Sequence, residues 1–148
     1  MSGSMKRNCR STDMTNQEII HFKKEIGKYN FLVSSAGLLK DRIDVCLYQM
    51  SGVKGIRFDK VRGSLSEYQI AMLKHDQSEK YEKLLKTYEK KLKRIEYVES
   101  VLNRMSDDDR ELYEMKYIEG MSFERLARIN YISKSGLIYR MNAILKEL

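Results

Sequence analysis

Residues 81–105, YEKLLKTYEKKLKRIEYVESVLNRM, decide how the chain is built. With Tyr81 at heptad position a, the a sites are Tyr81, Tyr88, Ile95 and Leu102 and the d sites Leu84, Lys91, Val98 and Met105. Only Lys91 is polar, and Leu85 and Leu92 widen the stripe at e. Such a stripe faces one side of one helix and cannot bury itself, so it requires a partner. The partner is either the N-terminal helical segment folded back or a second copy of the chain, joined through Tyr81, Leu84, Tyr88, Leu92, Ile95, Val98 and Leu102. Glu79, Lys80, Glu82, Lys83, Lys86, Glu89, Lys90 and Lys93 make an ordinary solvated face.

Upstream, Thr15 and Glu18 have capping-box spacing, which predicts a helix start. Ile19, Phe22, Ile26 and Tyr29 follow at steps of three or four, and Leu39, Ile43, Leu47 and Met50 repeat the pattern. Between them, Ser34-Ser35-Ala36-Gly37 reads as a break or a tolerated weak point. Residues 51–66, SGVKGIRFDKVRGSLS, combine Gly52, Gly55 and Gly63 with Lys54, Arg57, Lys60 and Arg62 and read as a basic loop. It lacks the GxxxxGK[ST] spacing of a P-loop, and a surface connection is the simpler assignment. Residues 1–14 are polar and without periodicity, a flexible arm.

Downstream, Ser106 precedes Asp107, Asp108 and Asp109, so a hydroxyl cap and three carboxylates meet the positive end of a helix carrying Leu112, Tyr113, Met115 and Tyr117. Gly120 ends it in the left-handed conformation. Ser122 caps a short helix to about Asn130, with Leu126 and Ala127 inward. Ser133 caps a last helix carrying Leu137, Met141, Ile144, Leu145 and Leu148. Two short helices joined by a tight turn form a helix-turn-helix pattern, with Ala127 small where the second helix crosses the first. The expected fold is all-α: a long helical hairpin or coiled-coil-like stalk over 15–105, then a helix-turn-helix module over 106–148. The absence of proline, where roughly seven would be ordinary at this length, agrees with long helices.

The formal charge of +7 is uneven. Residues 1–66 carry net +6, residues 106–120 net −4 and residues 121–148 net +3. The basic excess favours a polyanionic partner, and the acids are segregated from the last two helices. In the last helix Lys134, Ser135 and Tyr139 lie in the first two turns, the end that enters a DNA major groove in this motif, so they are candidates for base-edge or groove contacts. Arg125, Arg128 and Arg140 are candidates for phosphates. Cys9 and Cys46 are far apart, and with only His21 and His75 no spacing reads as a metal site or disulfide framework. No cofactor and no enzymatic activity are expected, since no nucleophile, base and carboxylate come together. No apolar run approaches the roughly 20 residues of a membrane span, and the N-terminus lacks a signal-peptide core, so a cytoplasmic location away from membranes is expected.

The run 102–148, LNRMSDDDRELYEMKYIEGMSFERLARINYISKSGLIYRMNAILKEL, carries Leu102, Asp109-Arg110, Tyr117 with Gly120, Ser122 with Leu126-Ala127, Ser133, and Ile144-Leu145. That pattern resembles sigma factor region 4, and more closely the autolysin-regulator (ArpU) and RinA group of phage and prophage transcriptional regulators; residues 15–101 resemble that group more loosely. Departures are Tyr131 at a turn position usually held by glycine, Asn130 at an apolar site, and Arg140 at an apolar site of the last helix, with Met141 beside it. The resemblance implies binding of double-stranded phage promoter DNA to control late or lysis genes, and leaves open a contact with RNA polymerase. Two other readings stay open: a small terminase-type DNA-packaging recognition subunit, which would form a ring, and a helical protein-interaction adapter without DNA binding.

Overall fold

The computed structural model describes residues 14–54 and 67–148, and side chains over 14–50 and 75–148. The sequence readings on residues 1–13, including Cys9, and on 55–66 of the basic loop lie outside the described residues. All regular structure described is helical: α1 (Asn16–Gly27), α2 (Tyr29–Lys54), α3 (Glu67–Asn103), α4 (Asp107–Tyr113), a π-helical turn (Glu114–Ile118), α5 (Phe123–Ile129) and α6 (Lys134–Glu147). No described helix is long and apolar enough to cross a membrane.

The chain divides into two compact units. Unit 2, residues 32–93, holds most of α2 and α3. Its buried α2 face is Leu32, Ala36, Leu39, Ile43 and Cys46, steps of three and four that put all five on one side. Leu47, expected inward, stands 44% exposed because the inward stripe passes through Cys46, one residue away. Cys46 is a free thiol, and its Sγ lies 3.5 Å from the Gln77 carbonyl of α3. Ser34 to Gly37 do not interrupt α2, and the helix continues through Lys54 into the stretch expected as loop.

Unit 1 combines residues 14–31 with 94–148 among those described. Its start is the expected capping box: Thr15 Oγ1 accepts from the Glu18 amide at 3.2 Å, and Glu18 Oε2 accepts from the Thr15 amide at 3.0 Å. Met14, assigned by sequence to the arm, is buried in the core beside Ile19, Phe22 and Ile26. The helix stops at Gly27, where the Lys28 amide turns back to the Glu25 and Ile26 carbonyls, and restarts at Tyr29. From α3, Ile95, Val98, Val101 and Leu102 are buried, as is Met105 just beyond it. Thus the C-terminal end of the heptad stripe lies inside the chain's own core, which continues through Leu112 and Tyr113 of α4, Leu126 and Ala127 of α5, and Leu137, Met141, Ile144 and Leu145 of α6. Tyr81, Leu84, Tyr88 and Leu92 are half-buried in unit 2.

One polar pair is built into unit 1. Glu25 is 5% exposed, and Arg94 donates to both its oxygens, Nε to Oε2 at 2.8 Å and an η-nitrogen to Oε1 at 3.1 Å. The Arg94 hydrogen bond holds the Glu25 carboxyl below its ordinary value near 4.5, against the opposing effect of burial. A depressed folded-state value means the pair's contribution is fully present above about pH 4.5 and is lost as the pH falls through the folded value. Arg94→Met strands the carboxylate. Because the guanidinium is 41% exposed, the expected loss near neutral pH is about 2 kcal/mol, below that of a fully buried pair. Urea melts of both proteins at pH 7 and pH 3.5 should show the difference shrinking at the lower pH.

The helix from Ser106 departs from the sequence reading in its last turn. Ser106 caps it as expected, accepting from the Asp109 amide. A regular α-helix would carry the inward stripe from Leu112 and Tyr113 onto Lys116. Instead the turn widens, with Glu119 N–H bonding Glu114 C=O and Met121 N–H bonding Met115 C=O. Met115 and Tyr117 pack on the core, Tyr117 stacks on Tyr113 at 6.0 Å, and the Lys116 ammonium lies 4.3 Å from the Phe123 ring centroid. Asn30 Nδ2 donates to the Ile118 carbonyl at 2.9 Å, and Gly120 takes the expected positive φ of 78°.

Candidate nucleic-acid interface

The last two helices obtain their starts from serine hydroxyls. Ser122 Oγ accepts from Arg125 N–H at 3.2 Å and Ser133 Oγ from Gly136 N–H at 3.0 Å. Gly136 matters to the second cap, since a Cβ there would sit 3.0 Å from Ser133 Oγ. Each cap satisfies amides that have no partner within the helix, which fixes where α5 and α6 begin.

The turn between them is set by two reverse hydrogen bonds, Ile132 N–H to Ala127 C=O at 3.1 Å and Tyr131 N–H to Arg128 C=O at 3.2 Å. This six-to-one and five-to-two pair is the Schellman arrangement, and it requires a left-handed residue at the position after the cap. Tyr131 occupies it at φ 57° and is 95% exposed, so no packing compensates for the strain. Tyr131→Gly should therefore stabilise the fold by about 1 kcal/mol, seen as a raised thermal midpoint.

Leu126 and Ala127 face inward, leaving Arg125 and Arg128 exposed. In α6, Leu137, Met141, Ile144 and Leu145 are buried, so Ser135 and Tyr139 point outward, Tyr139 at 77% exposure. Met141 takes the inward place and Arg140 is left outside the core. Arg140 is rotated about 100° around the axis from Tyr139. There its guanidinium comes within 4.0 Å of Asp109 and lines a cleft with Asp108, Glu111, Leu112, Met115, Ile129 and Asn130. Lys134 flanks the opposite edge, its Nζ 2.7 Å from Glu124 Oε1 of α5. The Lys134 hydrogen bond, assisted by Glu124's own amide, lowers the Glu124 pKa. Among the described residues, neither Arg125 nor Arg128 is paired with a carboxylate.

The structure thus brings Arg125, Arg128, Lys134, Ser135, Tyr139 and Arg140 to exposed positions on α5 and α6, with Lys134 beside Glu124 and Arg140 beside Asp109. Sequence reading missed two features. Glu124 pairs with Lys134 ten positions away, which no helical spacing signals. His75, Asp76 and Glu79 bring potential ligand atoms within 4.8 Å on one turn of α3; their His-x-x-x-Glu spacing was legible, but all three are exposed, and exposed acidic groups commonly gather without a metal. Comparison of the chain with protein-family models, curated proteins and solved structures gives no match.

Proposed function

We propose that the chain is a sequence-specific DNA-binding transcriptional regulator of phage or prophage genes, with α5, its turn and α6 acting as a helix-turn-helix that reads the major groove. One observation carries the reading: α6 starts at a fixed serine cap after a Schellman turn, is anchored by four buried apolar residues, and leaves Lys134, Ser135 and Tyr139 accessible at its first two turns. Rigid presentation of polar and aromatic side chains at a helix N-terminal end is what direct readout requires. Exposed, unpaired Arg125 and Arg128 suit phosphates beside the groove, and the segregation of net −4 onto residues 106–120 keeps like-charge repulsion away from the duplex. Arg140, beside Asp109, suits a clamp between α6 and α4 better than a phosphate contact. The phage assignment rests on the resemblance of residues 102–148, which also motivates RNA polymerase as a second partner.

In this reading α2 and α3 form a helical hairpin, and the stripe divides in use. Val98, Leu102 and Met105 hold the reading unit together. Tyr81, Leu84, Tyr88 and Leu92 remain for pairing of chains; an inverted-repeat target would mark a paired chain and a lone half-site a single one. Titration of labelled duplex DNA at stepped salt tests the reading. Affinity should fall with log salt at a slope of about −0.9 per phosphate neutralised. No duplex binding at low salt would contradict it.

A further inference from the structure

Lys134 is the first residue of α6 and is exposed, one position before the outward-facing Ser135. It is not a free cation: its Nζ sits 2.7 Å from Glu124 Oε1, with Lys134 53% and Glu124 58% exposed. An ammonium has three N–H donors. Glu124 engages one, leaving two for acceptors on a partner. The pair as a whole is neutral, so its attraction to an arbitrary phosphate is largely cancelled while its hydrogen-bonding capacity survives.

Resting on the DNA-binding reading above, we propose that Glu124 is a specificity-determining residue: it orients Lys134 toward base-edge acceptors and suppresses the indiscriminate phosphate attraction that a lone lysine would add. The physical distinction is between two ways a lysine contributes to DNA affinity. Charge neutralisation releases counterions at any sequence, whereas a positioned donor meets a matching acceptor only at particular base pairs. An exposed ion pair is weak, so its stability contribution is small and its removal leaves the fold intact. The consequence falls on discrimination.

The test uses the full chain, wild type and Glu124→Gln, titrated with a duplex enriched by selection from random sequence and with a scrambled duplex of equal length, at stepped salt. Glu124→Gln should tighten binding to the scrambled duplex by about 3- to 10-fold at low salt and steepen its salt slope by about 0.9, one additional counterion. Affinity for the enriched duplex should change less, so the ratio of the two falls. In a Lys134→Gln background the same change should have no such effect. Equal shifts on both duplexes, or none, with wild-type discrimination intact, overturn the role of Glu124 alone. A selection that enriches no sequence overturns both this role and the DNA reading.

Discussion

Val98→Asp should unfold unit 1 at 25 °C, with a loss of about 5 kcal/mol or more. Val98 is completely buried, in a core shared by α1, α3, α4, α5 and α6. Aspartate there removes apolar contacts and places a carboxylate in the buried cluster that also holds Phe22, Leu102 and Tyr113; an uncompensated buried charge is among the most damaging single changes. Marginal stability of ordinary domains is about 5–15 kcal/mol, so a loss of this size exceeds the stability at the low end of that range and empties the native population there. The measurable result is loss of the near-ultraviolet tyrosine signal and of DNA binding together. Val98→Ala, which only leaves a cavity, should cost about 1–2 kcal/mol and retain both. If Val98→Asp disrupts only chain pairing while the monomer stays folded, the assignment of this residue to the intrachain core is wrong.

The double change Arg125→Glu with Arg128→Glu should weaken duplex binding by about 100-fold or more at moderate salt, without moving the thermal midpoint by more than a degree or two. Both side chains are exposed, on the side of α5 opposite Leu126 and Ala127, so neither supports the core. On the proposed interface each reversal would remove one phosphate contact and add one repulsion, so the salt slope should flatten by about 1.8. A parallel Arg140→Gln change should do far less to the slope, because Arg140 faces Asp109 and the acidic cleft. Unchanged binding in the double variant would move the interface elsewhere.

Much of this architecture was legible because it depends on local rules. Thr15 with Glu18, Ser106, Ser122 and Ser133 each cap the helix their spacing predicted, and the inward residues of α5 and α6 follow from period 3.6. Period alone could not decide which helix covers the stripe. The buried state of Val98 and Leu102 depends on α1 folding against them, a contact between positions some eighty residues apart in sequence. Leu47 failed for a related reason: Leu47 and Cys46 fit the spacing nearly equally, and only packing against α3 selects Cys46. The widened turn at Glu114–Ile118 had no sequence signal beyond Lys116 standing where an apolar residue was due. In the candidate site, the exposed cations were readable one at a time. Which of them carry a carboxylate partner was not, since Glu124 and Asp109 reach Lys134 and Arg140 across helix pairs.

Tyr131 shows where a local rule is broken openly. A glycine would satisfy the same hydrogen bonds without strain, and the tyrosine ring covers nothing. The stabilising effect expected of Tyr131→Gly is thus independent of any ligand.

The most direct test is selection by the full-length chain from a pool of random duplexes, followed by affinity measurement on the recovered sequences. A single recurring motif, bound at least about a thousandfold more tightly than scrambled DNA, is the predicted outcome. A pool that stays random through successive rounds, or recovered duplexes bound no better than scrambled ones, would contradict the claim that α6 reads DNA.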